Sequence, residues 1–121
     1  MHRDTLLKLL GPLASLRCKN KLIVNGTKED YYLPDQLLED GYYFLKRPAI
    51  GDLIKQESVV AFSRILNEHA PRIPLDDLNI SLDQIINKNS SWNKIRSAAL
   101  LVLKENGVDL EEWEHIQCKA R

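Results

Sequence analysis

The sequence predicts a mainly α fold, a single domain over residues 1–121 with five to seven short helices around a central buried helix at 91–106. Three observations lead there. Apolar residues run almost unbroken from Ala98 to Leu103, inside the stretch SWNKIRSAALLVLKEN, Ser91 to Asn106. Helix start and stop signals recur along the chain, at Pro34, Ser81, Gly107 and Asp109. Apart from Tyr42 to Leu45, which is open between strand and helix, strand signals fall at Leu22-Ile23-Val24, Asn25-Gly26 and Tyr31-Tyr32-Leu33, which allow a small N-terminal β-hairpin.

In chain order, residues 3–10 form an amphipathic turn or two, which Gly11-Pro12 interrupts before helix resumes over Leu13 to Cys18. The hairpin follows. Pro34 suits the first position of a short helix over Pro34 to Asp40, and Gly41 suits the left-handed residue past its end. Tyr42 to Leu45 is open between strand and helix. Pro48 starts a turn of helix to Gln56. Ser58 caps a helix to His69, with Val59, Phe62, Leu66 and His69 on one face, unless Asp52 to His69 is one longer helix. Pro71 and Pro74 end it.

Ser81 with Gln84 three residues on is a capping box for Leu82 to Lys88, with Leu82, Ile85 and Ile86 directed inward. In the central helix Trp92, Ile95, Ala99 and Val102 recur at helical spacing, and Leu100, Leu101 and Leu103 widen that face until little is left for solvent. Leu101 and Leu103 are both expected inside. Lys104 and Gly107 mark the end of this helix. Asp109 with Glu112 opens a last helix over Leu110 to Cys118, with Leu110 and Trp113 on its inner stripe.

Net charge is zero, so no global field steers the protein to nucleic acid or membrane. The charge is segmented, however. Residues 1–28 hold six basic side chains and one acid, whereas residues 29–45 hold five acids and no base. The run Leu6 to Leu16 is a poor signal peptide, because Lys8 interrupts it and no A-x-A site follows. It is also too short to span a bilayer. The protein is therefore expected in the cytoplasm, where Cys18 and Cys118 are expected as free thiols unless the terminal segments meet and let them pair, and the sequons at Asn25, Asn79 and Asn89 are chance matches.

Catalytic and metal-binding chemistry find no local support. The histidines His2, His69 and His115 are not at metal-ligand spacing. His115 and Cys118 are one helical turn apart, but two ligands do not close a zinc site. No nucleophile elbow, P-loop or dinucleotide fingerprint is present. The expectation is a protein that is not an enzyme, with no cofactor and no metal.

The most unusual composition is Glu29 to Leu45, EDYYLPDQLLEDGYYFL, which holds all four tyrosines of the chain and five carboxylates. Tyrosine offers a large, rigid contact area with a polar tip. Acids beside it attract a basic partner and speed its encounter. The candidate partner-binding residues are Tyr31, Tyr32, Asp35, Glu39, Asp40, Tyr42 and Tyr43. The plain alternative is that Tyr32, Tyr43 and Phe44 belong to the core and the acids to a solvated face.

Two stretches, YYLPDQLLEDGYYFLKRPAIGDLI (Tyr31 to Ile54) and SWNKIRSAALLVLKENGVDLEEW, resemble the small immunity proteins of bacterial contact-dependent growth inhibition systems. The resemblance implies a cytoplasmic binding module that neutralises a cognate toxin domain, often a basic nuclease. It carries no site residue over. A second reading takes Leu82 to Lys88 and Trp92 to Lys104 as a helix-turn-helix, with Asn93, Lys94, Arg96 and Ser97 on a recognition helix. A pI of about 6.8 lacks the basic footprint that reading needs.

Overall fold

A computed structural model describes residues 3–15, Cys18 and residues 33–117. They form five α-helices: α1 (Arg3–Ala14), α2 (Pro34–Lys46), α3 (Glu57–His69), α4 (Ser90–Glu105) and α5 (Leu110–Gln117). Tighter 3₁₀ turns occupy Pro48–Lys55 and Ala70–Arg72, and a wider π turn occupies Gln84–Lys88. No strand occurs among the described residues. The hairpin expected over 22–33 lies outside them except for Leu33, which is the extended residue before α2.

The expected central helix is central. α4 packs along α3 on one side and α1 on the other, and α1 in turn carries α2 and α5. Trp92, Ile95, Ala99, Val102 and Leu103 are all fully buried. Leu101 is not: it is 56 % exposed. Exposed Ser90, Lys94, Ser97, Leu101 and Lys104 recur at helical spacing, so α4 keeps one narrow solvent stripe and Leu101 falls on it. Hydrophobicity alone placed Leu101 inside; helical phase decides otherwise.

The C-terminal end of α4 follows its signal, and its start is capped by a residue that the sequence reading places in the linker. Asn89 Oδ1 accepts from the Trp92 backbone N–H at 3.0 Å. At the far end the Gly107 N–H donates to Lys104 O at 3.0 Å and the Val108 N–H to Leu103 O at 2.9 Å. This double closure needs a left-handed residue, and Gly107 supplies it with φ 68°. Gln56 and Asn106 exchange amide hydrogen bonds at 3.1 and 2.9 Å, which ties the end of α4 to the start of α3. Ser58 is not the cap of α3, which is Gln56; its N–H donates to Glu105 Oε2 at 3.0 Å from within the first turn. Val59, Phe62, Leu66 and His69 are buried together, as the spacing requires.

Two helices run on where a stop was expected. α1 continues through Gly11 and Pro12 to Ala14. Proline costs one backbone hydrogen bond there, but Pro12, Leu13 and Ala14 are buried in the continuation. α2 continues through Gly41 to Lys46, so Tyr42 to Leu45 is helix and Gly41 is no stop. Gly41 is buried against α1 and α3: a Cβ there would lie 3.2 Å from Phe62 and 3.3 Å from Leu66. The glycine lets the helices approach. Phe44 and Phe62 then meet edge to face at 6.2 Å across the α2–α3 contact.

Cys18 is buried and disulfide-bonded, against the expectation of a free thiol; the one other cysteine in the sequence, Cys118, lies outside the described residues. Cys18 sits where the end of α1 meets α5. α5 packs on α1, Ser15 Oγ donates to the buried Glu114 carboxylate, and the Cys18 N–H donates to Ser15 Oγ at 2.8 Å. Among the described residues, no helix is long and apolar enough to cross a membrane.

Candidate functional site

α2 presents the only part of the acidic-aromatic stretch that the structure describes. Its inward face is Pro34, Leu37, Leu38, Gly41 and Phe44, all buried. At about 100° per residue, the opposite face carries Asp35, Gln36, Glu39, Tyr43 and Lys46, all exposed. Asp35, Glu39 and Tyr43 are therefore successive members of one i, i+4 row. Asp40 and Tyr42 lie on the two flanks and are half-buried. Tyr31 and Tyr32 lie outside the described residues.

The continuous helix brings these groups into one row, which a chain turn at Gly41 was expected to do. Tyr43 is 57 % exposed, while Phe44 is fully buried. The alternative core assignment thus holds for Phe44 and fails for Tyr43. Arg47 stands over the Tyr43 ring, 5.2 Å from its centroid. That contact places a cation beside the C-terminal end of the row. On the Asp40 flank, Gln36 Nε2 donates to Asp40 Oδ1 at 3.2 Å. Beyond it a groove of about 540 Å³ runs between α2 and α1, with Asp4, Lys8, Asp40 and the edge of Trp113 on its walls.

His69 is buried at the end of α3, with Nδ1 3.0 Å from Ser91 Oγ. His115 is exposed on α5. Asp109 Oδ1 accepts from the Glu111 N–H at 2.9 Å, while Glu112 turns away to meet Arg3 at 3.3 Å. Among the described residues, no group of three or more histidine, cysteine or carboxylate side chains is placed to hold a metal ion.

At the start of α4, Ser91 and Trp92 are buried, Lys94 and Ser97 are exposed, and Arg96 is half-buried. Burial lowers the Arg96 pKa below its ordinary value. Of the four residues assigned to a recognition helix, Lys94 and Ser97 are exposed and Asn93 and Arg96 half-buried.

Sequence reasoning missed an apolar hollow beside the N-terminus of α2. It placed Leu82 inward, but Leu82 is 40 % exposed. The capping box is formed: the Ser81 N–H donates to Gln84 Oε1 at 3.0 Å and the Gln84 N–H to Ser81 Oγ at 3.2 Å. The π turn that follows is wider than an α turn, so Ile85 and Ile86 point inward while Leu82 rotates out.

Comparison of the chain with protein-family models, with characterised proteins and with solved structures returns no match.

Proposed function

We propose that this protein is a binding module for a basic protein partner, in its most concrete form an immunity protein that binds and neutralises a cognate toxin domain with nuclease activity. The observation that carries the reading is the exposed row Asp35, Glu39, Tyr43 on α2, whose opposite face is sealed into the core. Two carboxylates and a rigid phenol on a helix anchored on two sides make a pre-organised surface, and pre-organisation reduces the entropy cost of binding. Tyr42 and Asp40 extend the surface on either flank. The resemblance of Tyr31 to Ile54 to immunity proteins supports the reading as a binding module and assigns no site residue.

A cytoplasmic location belongs to this proposal. The disulfide at Cys18 pulls against it, because disulfides persist in oxidising compartments.

The test uses the wild-type chain and the Asp35→Lys/Glu39→Lys variant side by side. Each serves as bait for a toxin domain encoded beside the gene, followed by titration of affinity and of residual nuclease activity at low and high salt. The expected result is tight, salt-sensitive binding and inhibition by the wild type, with both lost in the variant. Equal affinity of the two proteins at both salts would move the docking surface away from α2.

A further inference from the structure

The hollow at the N-terminal end of α2 combines mostly apolar walls with charge of a single sign among the described residues. It encloses about 470 Å³. Its walls come from three separated segments: Leu33 before α2, Ile73 and Leu75 after the Ala70–Arg72 turn, and Leu82 and Ile85 at the π turn. Leu33 is 50 % exposed at its mouth. The polar residues lining it are Asp35 and Asp76, both exposed carboxylates, and no basic side chain lines it. Asp35 is also the first member of the α2 row, so the hollow and the row form one continuous surface.

We infer that this hollow receives an apolar anchor side chain of the partner, phenylalanine or leucine in size, carried on a segment with arginine or lysine on both sides. The inference rests on the reading of α2 as a docking face for a basic partner and names the chemistry that reaches past it. Apolar walls reward burial of one hydrophobic side chain. The two rim carboxylates would meet cations flanking that anchor, and they disfavour an acidic segment by like-charge repulsion. Interface energy concentrates in such central anchors, with charged contacts around them setting approach and register. The half-exposed Leu33 and Leu82 give the anchor a rim to pack against, and both are otherwise uncovered apolar surface.

The probe is a short peptide in which arginine alternates with phenylalanine, fluorescently labelled and titrated against the full chain. Two control peptides replace every Phe by Ala or every Arg by Glu. Amide chemical shifts of the protein locate the contact. The expected result is saturable binding of the Arg/Phe peptide alone, weakened by salt, with shifts at Ile73, Leu75, Leu82 and Ile85. Leu82→Ala and Asp76→Lys, both at exposed positions outside the α2 row, should each weaken it about tenfold without changing thermal stability.

Absence of saturable binding overturns the inference. So does binding that Leu82→Ala and Asp76→Lys leave unchanged. In the second case, shifts confined to Glu39 and Tyr43 would leave the α2 row standing as a basic-partner surface while removing the hollow from it. If the α2 reading itself is wrong, Asp35→Lys/Glu39→Lys retains full partner affinity, a result that does not depend on the peptide.

Discussion

Gly41 and Leu101 show how single residues are read differently once their neighbours are known. In a helix interior, Gly41→Ala gains up to ~1 kcal/mol of helix propensity. The new methyl group would stand 3.2 Å from Phe62 and 3.3 Å from Leu66, both buried. Overpacking of that kind costs ~1–3 kcal/mol, so the clash outweighs the propensity. Gly41→Ala is expected to lower stability by about 1 kcal/mol net, and Gly41→Leu to prevent folding; chemical denaturation measures both. An Ala variant more stable than wild type would show that α2 has room to move off α3. Leu103→Ala should cost ~2–5 kcal/mol, because Leu103 is fully enclosed. Leu101→Ala should stay within about ±0.5 kcal/mol, as expected for an exposed position. Equal losses at the two sites would contradict the phase of α4.

At the scale of the element, the termini of α4 carry local signals that act independently of its packing. Asn89→Ala removes the acceptor for the Trp92 N–H and should cost about 1 kcal/mol. Gly107→Ala places a Cβ on a left-handed residue and should cost ~1–2 kcal/mol, with nothing within 4 Å of that Cβ to add a clash. The two sites lie at opposite ends of the helix, so the double variant should lose the sum of the single losses. Equilibrium urea curves on the three variants test both magnitude and additivity.

Across the whole molecule, charge and redox state give the informative tests. Asp35→Lys/Glu39→Lys changes only exposed side chains on the solvent face of α2, so its folding free energy should stay within about ±0.5 kcal/mol per site. A large stability loss would mean the row supports the fold rather than a partner. Cys18 is disulfide-bonded, so unfolded protein without reductant should resist alkylation there and become reactive once reductant is added. Mass spectrometry of protein prepared from reducing and oxidising compartments reads this directly. A freely labelled Cys18 after oxidising preparation would return it to the thiol expected from sequence.

The sequence by itself determined the helical class, the central place of α4, its glycine stop at Gly107 and the inward set Val59, Phe62, Leu66 and His69. Each of these rests on spacing within a few residues, where backbone geometry leaves little choice. The acidic row on α2 was also legible, because Asp35 and Glu39 are one turn apart in either version of that helix. The tertiary structure alone decided that Gly41 is a contact point rather than a stop, since only the approach of Phe62 and Leu66 distinguishes the two uses of glycine. It decided likewise that Leu101 faces solvent and Leu103 does not, because neighbouring packing rather than hydrophobicity sets the buried sector of a nearly all-apolar run. The hollow beside α2 is built from residues 33–35, 70–76 and 82–85. No local pattern announces a surface whose walls are adjacent in space and distant along the chain.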